Sequence, residues 1–560
     1  MPSHGAGARG STVHMSDVAD TPEAATSKSG NALSALRHKL FRSVWLSNTA
    51  STFGGQVQIV GASWLMASLT QSHEMVALVQ TASALPIMIL SLLAGAIADN
   101  YDRRSLMLWA QIFMLTASAL LTTLALFGLT TPYGLLLFTF LIGCGTAFSA
   151  PAWQASVASM VPRSELAAAV TLNTMGFNLA RAAGPGVGGL VVAAAGAIAA
   201  FAINTISYLG LLVVLTRWKP ELAPRKLPPE RIDIAMGAGI RYVMMSPSIL
   251  AVLLRSVAFG TAMSATTSLM PMIARDLLGG GPTLYGTMLG LYGVGAVAGG
   301  FAGHSLRKRM SNETLVRLSS LLFGACAAVA GLSSIVPVTL VALFFAGGAF
   351  ILILSSLNVT VQLTSPRWVT GRALAVHRVA LFGGIACGSW TWGILAEEQG
   401  LGFALVVSTA VHIVCAAIGI WRPLTQADDL NLDPLDRWIE PKTAVAIEPV
   451  SGPIVITIEY QIREADIMPF LAAMAQLRRV RRRDGARKWT LLRDLADAEL
   501  WVERYHTPTW VEYVRHNQRR THQDLQVLAR IRKLHQGDEE PLIHRRIERQ
   551  TGSLPAVRER

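Results

Sequence analysis

The chain has 560 residues, enough for more than one domain, yet 52% of them are hydrophobic and only 15% charged, which excludes an ordinary soluble protein. Its formal net charge of +13 sits between apolar runs and suits acidic lipid headgroups; nucleic acid is not expected as a partner. The four cysteines, Cys144, Cys326, Cys387 and Cys415, all fall inside apolar runs without metal-like spacing, so no disulfide, metal site or cofactor is indicated.

Residues 1–40 are rich in Ser, Ala, Gly and Thr, lack an apolar period and read as a disordered cytoplasmic tail. Arg37, Lys39 and Arg42 then precede the first apolar run and anchor the N-terminus inside the cell. Apolar runs of roughly 20 residues, the length that crosses a bilayer, predict helices at 44–67, 75–98, 104–128, 133–156, 165–194 and 197–216. Residues 41–217 are thus a first six-helix bundle. A polar middle loop, 218–246, carries Pro220, Pro224, Pro228 and Pro229. Helices at 247–272, 283–304, 314–336, 338–363, 372–395 and 401–421 form a second bundle, 247–422. The fold class is therefore an all-α polytopic membrane protein with 12 transmembrane helices in two six-helix halves, followed by a small C-terminal α+β domain.

Loop charges support that count. Arg103 and Arg104, Arg163, Arg217 to Arg241, Arg307 to Arg309, and Arg367 with Arg372 occupy alternate loops, whereas 70–74, 130–131 and 397–399 carry no Lys or Arg. Only Arg275, beside Asp276, breaks the alternation. Both termini are expected to be cytoplasmic.

Between the second and third helices, Gly95-Ala-Ile-Ala-Asp99-Asn100-Tyr-Asp102-Arg103-Arg104 is too short and too charged to lie in lipid. Asp99 at a helix C-terminus opposes the helix dipole and seeks a cation, so Gly95, Asp99, Arg103 and Arg104 read as a latch between moving halves; the plainer alternative is a solvated turn. About 205 residues on, Gly300, Arg307, Lys308 and Arg309 repeat the glycine and the basic pair, with His304 at the Asp position. They form the second side of a gate, and repeats of this kind place the substrate path between two rocking bundles.

Polar residues inside apolar runs are the candidate path. An Arg at a helix centre costs about 2.5–3.5 kcal/mol on insertion scales, so Arg181 and Arg255 are not expected to face lipid. Asn178 shares a face with Arg181. Asn48 and Gln56 lie on one stripe with Thr52, Asn358 and Gln362 on another, and Asn204 shares a face with Ser207. The competing reading is interhelical hydrogen bonding worth about 0.6 kcal/mol each. Gly184, Pro185, Gly188 and Gly189 mark a bending or sliding point on the fifth helix. No Asp or Glu falls in mid-helix, so the interior charge is cationic and the substrate is read as anionic or polar neutral. His304, His377 or His412 is the candidate to carry a proton near neutral pH, although a lone His is more often a hydrogen-bonded spectator.

Beyond a linker at 423–452, residues 453–550 change character. A strand at 454–460, a helix at 464–482, strands at 487–493 and 499–506 and a helix at 508–534 suggest a ferredoxin-like domain. The run Arg478-Arg479-Val-Arg481-Arg482-Arg483 is open to acidic lipid, nucleic acid or solvent alone, and acidic lipid is the favoured functional reading among these.

Several of these stretches have a family likeness. The Gly95 to Arg104 stretch resembles the helix 2–3 loop of the major facilitator superfamily, with Asn100 where an Arg is usual and Asp102 where a Gly is. Gly184-Pro185-x-x-Gly188-Gly189 resembles the signature of that superfamily's exporters, with Ala180 in place of an upstream Gly. With its extension, the chain resembles the enterobactin-exporter-like (transmembrane secretion effector) branch over about 40–550. The resemblance implies a secondary active transporter of the bacterial inner membrane that exports a siderophore-, drug- or metabolite-like molecule by alternating access, driven by protons. The C-terminal domain also looks like the antibiotic biosynthesis monooxygenase-type dimeric fold, which implies dimerisation through it. An oxygenase using Trp489, Trp501, Trp510 and His506 is one alternative, although such residues are more often core. An importer or lipid translocase of the same fold and a non-transporting scaffold are the others.

Overall fold

The computed structural model describes residues 32–162, 165–218, 232–366, 368–424, 440–441, 443–536 and 540–548. The tail to residue 31, Arg163, Pro220 to Pro229, Arg367 and Asp428 to Asp436 lie outside them, as do the side chains of Asp99 and Asn100.

Among the described residues, ten helical stretches are long and apolar enough to cross a membrane. The helices of the main body are α1 (Lys39–Leu69), α2 (His73–Asn100), α3 (Arg103–Leu126), α4 (Pro132–Met160), α5 (Leu166–Arg217), α6 (Ile232–Met244), α7 (Pro247–Met272), α8 (Pro282–Arg309), α9 (Asn312–Leu332), α10 (Val336–Leu363), α11 (Thr370–Gln399) and α12 (Leu401–Trp421). Local chemistry sets their starts. Ser72 accepts from Met75 N to cap α2, Asp102 from Arg104 N and Ser105 N to cap α3, Thr131 from Gly134 N to cap α4, and Ser311 from Thr314 N to cap α9.

Two elements differ from the sequence reading. The helices expected at 165–194 and 197–216 meet without a loop in the 52-residue α5, where Gly196 turns the chain at φ 77. Only glycine takes that left-handed conformation at little cost. The middle segment is not wholly loop either, because Ile232–Met244 forms α6. Its apolar residues recur at helical spacing, a signal masked by the prolines before it.

Large apolar side chains stand exposed around the outside, Phe301 at 81% and Leu332 at 77% among them, an arrangement that fits hydrocarbon surroundings. Within each half α1 packs on α5, α3 on α4 and α5, α8 on α10, and α9 on α12; the halves meet along α5 with α8 and along α2 with α11. The ends of α2, α4, α5, α8, α10 and α12 share one basic face with the start of α1.

The appended domain has a four-stranded antiparallel sheet in the order β2 (Arg487–Arg493), β3 (Leu500–Thr507), β1 (Ile454–Gln461), β4 (Leu542–Ile547). Helices α13 (Ile467–Arg483), α14 (Trp510–Gln518) and α15 (His522–Leu534) complete it. The single helix expected at 508–534 is two, because Thr521 and Asp524 form a capping box that starts α15 afresh. β4 has no counterpart in the sequence reading; Leu-Ile-His-Arg-Arg-Ile alternates poorly, and its pairing with β1 is a long-range contact.

The basic run on α13 is only partly solvated. Arg481 is buried and donates from Nε to Glu503 Oε1 at 3.0 Å, while Tyr460 Oη (3.0 Å) and Trp489 Nε1 (2.9 Å) also donate to that carboxylate. A buried pair so fully bonded is costly to break from one side. His516 on α14 is buried too, and burial, then the charges of Arg481 and Arg520, hold its pKa well below the ordinary histidine value. The folded domain keeps it neutral while the unfolded chain takes up a proton below about pH 6.5, so stability is present above that pH and falls as pH drops. We expect the urea midpoint for protease protection of this domain, measured on the full chain, to fall between pH 7 and pH 5. His516→Gln should flatten that dependence by up to about 1.4 kcal/mol per pH unit.

Candidate functional site: the seam between the halves

The seam is built on glycine. A Cβ on Gly186 would lie 2.9 Å from Gly290 Cα, and one on Gly286 would lie 2.7 Å from the Gly189 carbonyl, so α5 and α8 cross with their backbones in contact. Gly184 and Gly188 face the other way, 2.7 Å from Gln56 Cβ and 3.0 Å from Val57 Cα on α1. Pro185 lies between, inside the helix. In lipid no hydrophobic force drives helices together, and small residues permit the close packing that does. The expected sliding point is thus the contact between the two halves. The partner glycines on α8 were not singled out from the sequence, although their spacing, 286, 290 and 293, follows one helical face.

Beside this crossing stand two arginines. Arg181 on α5 has its guanidinium 5.9 Å from the Phe177 ring and 5.5 Å from the Phe350 ring, and lies within electrostatic reach of Tyr292 and Arg378. Arg378, on α11 of the other half, was missed by sequence reasoning although an Arg in an apolar helix was the signal in hand. Among the described residues neither makes an ion pair with a carboxylate. Two unpaired cations facing each other across a seam can receive an anion.

The remaining path candidates divide. Asn48, Gln56, Asn178 and Asn358 are half-buried, Gln362 is exposed, and among the described residues their side chains have no hydrogen-bond partner. Asn204 is fully buried and donates from Nδ2 to Gln58 Oε1 and to Tyr208 Oη, in a network that includes Ser118 and Thr205 and joins α1, α3 and α5. Arg255 lies near the basic end of α7, not at a helix centre. Its Nη2 donates to Glu313 Oε1 at 2.9 Å and to the Arg422 carbonyl at 3.1 Å, tying α7, α9 and α12 together.

The gate candidates on the basic face make contacts inside their own halves. Arg103 donates to Ala98 O (3.3 Å) and Ala155 O (2.7 Å), and Arg104 to Leu215 O (2.8 Å) and Thr216 O (3.0 Å), so the basic pair satisfies carbonyls at the ends of α2 and α5 and ties α3 to the last turns of α4. Burial raises the Asp102 carboxyl, but hydrogen bonds from Ser105 and Arg104 N and the Arg104 charge outweigh it and leave the pKa lowered. Arg307 reaches Ser355 on α10, and Lys308 and Arg309 are exposed. Gly95 lines a cavity of about 380 Å³ between α2, α4, α6 and α11, and a Cβ on Gly95 or Gly300 would meet nothing.

On the opposite face the halves are joined. Arg275 donates from Nη1 to the Ala67 and Thr70 carbonyls that end α1, while its neighbour Asp276 lies 3.0 Å from His73 Nε2. Glu397 accepts from His73 N at 2.6 Å and lies 3.4 Å from His73 Nδ1, and Trp390 Nε1 donates to Glu74 Oε1 at 3.0 Å. The arginine that broke the loop-charge pattern is therefore a structural tie across the seam, a role composition does not reveal.

A family model described as transmembrane secretion effector matches residues 30–551. The chain belongs to that family. Its transporters are members of the major facilitator superfamily, and the match runs through the appended domain. Among relatives, the multidrug efflux pump Tap of Mycolicibacterium fortuitum is 24% identical over 391 residues, 68% of this chain and 95% of the relative. The staphyloferrin A transporter of Staphylococcus aureus is 23% identical over 278 residues, 48% of this chain and 68% of the relative. Among solved structures, an inward-facing bacterial homologue of the human lysosomal transporter Spinster aligns with a TM-score of 0.57 at 14% identity, covering 69% of this chain and 97% of that one. At that identity the likeness concerns the fold alone.

The chain is thus a multi-pass membrane transporter, and the tryptophans considered for an oxygenase are core of its appended domain, Trp501 and Trp510 within one apolar cluster and Trp489 packed against it. Trp489 is bonded to Glu503, Trp510 donates to Glu440 at 2.7 Å, and His506 lies 3.5 Å from Glu548. The two glycine sets make a sharp test. Gly189→Ala and Gly286→Ala should each lower the melting temperature of the purified protein, equivalent to about 1–3 kcal/mol of overpacking, whereas Gly95→Ala and Gly300→Ala should leave it unchanged.

Proposed function

We propose that this protein exports a small anionic or polar neutral molecule by alternating access, exchanging it for protons across a bacterial inner membrane. The observation that carries the reading is the pair Arg181 and Arg378, one from each half, facing the seam without a carboxylate partner. An anionic group between them receives charge-assisted hydrogen bonds from both halves at once, so its binding energy depends on how the halves sit. Efflux relatives such as the Tap pump favour the outward direction.

The proposed topology has twelve spans, counting α1 and the two parts of α5 separately, with both termini and the basic face in the cytoplasm. The appended domain, with its β2-β3-β1-β4 order, is proposed to be ferredoxin-like. In this cycle the tie of Arg275, Asp276, His73 and Glu397 closes the outer side, the α5 and α8 crossing is the pivot, and the cavity beside Gly95 belongs to the inner approach. His73 is the proposed proton carrier, since among the described residues it alone of the histidines faces two carboxylates. Protonated, it strengthens the outer closure; neutral, it loosens it.

The cargo is found by comparing culture medium from cells with and without the protein. Everted vesicles energised with a proton gradient should accumulate that cargo; accumulation only in right-side-out vesicles would overturn export. Arg181→Gln and Arg378→Gln should each cut transport tenfold or more, the loss of about 1.5–3 kcal/mol expected for a charge-assisted contact, with unchanged protein levels. Normal export by both variants rules out the anion pair. His73→Gln should keep counterflow exchange of cargo while losing its dependence on the proton gradient.

A further inference from the structure

Where the appended domain meets the end of α6 there is a cavity of about 520 Å³. Arg241 and Met245 line it from the transport body, and Arg478, Arg482, Arg487 and Lys488 from α13 and β2. Five cations and no carboxylate form its lining. Among the described residues, Arg478, Arg482, Arg487 and Lys488 make no ion pair, and Arg241 donates from Nε to a main-chain oxygen, Arg483 O, at 3.3 Å. The nearby acids are already engaged, since Arg483 pairs with Asp484 at 2.9 Å and with Asp524 at 3.0 Å.

Two further observations mark the cavity. Burial, then the like charges of Arg519 and Arg487, push the Arg241 guanidinium below its ordinary pKa and outweigh the opposing pull of Asp484 and Glu512. Lys488 has φ 48, the one non-glycine with positive φ among the described residues, and the pairing of β2 with β3 shifts register between Arg487 and Thr490. Strain of this kind persists where surroundings hold it, often at binding positions.

We propose that this cavity binds a phosphate-bearing anion of more than one negative charge, held jointly by Arg241 of the transport body and by Arg478, Arg482, Arg487 and Lys488 of the appended domain. Guanidinium forks match phosphate oxygens two at a time, and Lys488 adds a compact point charge. Arg478 already covers the Trp489 ring at 5.7 Å, so the ligand is recognised through phosphate rather than through an aromatic base. Met245 precedes the start of α7 by two residues, which puts the cavity within reach of a lipid headgroup as well as of soluble phosphates. Occupancy would fasten the appended domain to α6, which itself packs on α2 of one half and α11 of the other. The site does not depend on the direction or cargo of transport.

The test uses the full chain. Inorganic tripolyphosphate is titrated calorimetrically onto protein in neutral detergent, and in parallel protein in phosphatidylcholine nanodiscs with phosphatidylglycerol is scored by mass spectrometry for retained anionic lipid. Saturable tripolyphosphate binding identifies a soluble ligand, and retained phosphatidylglycerol a headgroup. In the arm that binds, Lys488→Gly, which removes the charge and relieves the positive φ, and Arg482→Gln should each weaken binding at least fivefold without lowering the melting temperature. Arg479→Gln, outside the cavity, should not. Absence of saturable binding in both arms, or binding unchanged in K488G and R482Q, overturns the proposal.

Discussion

The contact on which the rest depends is the crossing of α5 and α8, where Gly186 and Gly189 meet Gly290 and Gly286 with no side chain between. Two helix bundles in lipid gain nothing from burying leucine against leucine, because the lipid is equally apolar. What holds them is close packing and the polar contacts that close packing permits. Because glycines carry no side chain, the crossing brings the two backbones into direct contact. Arg181 stands one turn before this crossing on α5, and its long side chain comes within electrostatic reach of Arg378 on α11 of the other half.

The polar ties are unequally distributed around that pivot. On the basic face Arg103, Arg104 and Arg255 spend their donors on carbonyls and a carboxylate of their own half. On the other face Arg275, His73, Glu74 and Glu397 bond across from one half to the other. Ties within a half make each bundle rigid, and ties between halves can be broken as a unit. In the described structure the inter-half set is closed on the face away from the basic ends.

Much of this was legible in the sequence where the signal is local. Hydrophobic length placed the helices, and the Gly184 to Gly189 segment announced itself as a place of close backbone approach. What was not legible required knowing a partner. Arg275 looked like an exception to a charge rule until the end of α1 was seen beside it. Arg103 and Arg104 looked like a gate because a basic pair at a membrane edge does not say whether it reaches solvent, a carboxylate or a carbonyl. Asn204 looked like a path residue, and only Gln58, 146 positions away, shows its side chain to be spent inside one half. Asp102, noted as a departure from the family pattern, is the cap of α3; an acid accepting two backbone N–H groups there starts the helix at once, where a glycine would leave them to water.

The appended domain changes what the middle segment is for. A loop between the two halves has only to span them, and an extended polar segment would serve. The segment instead folds into α6, presents Gly239 to the Arg372 side chain of α11, and turns Tyr242 and Arg241 toward the appended domain, where the Arg483 guanidinium lies 5.1 Å from the Tyr242 ring. Arg519 of that domain stacks at 4.2 Å on Trp368, between α10 and α11. A helix that touches α2, α11 and the appended domain at once is a physical route between the seam and that domain. A change in how the domain sits on α6 therefore reaches a helix that contacts both halves.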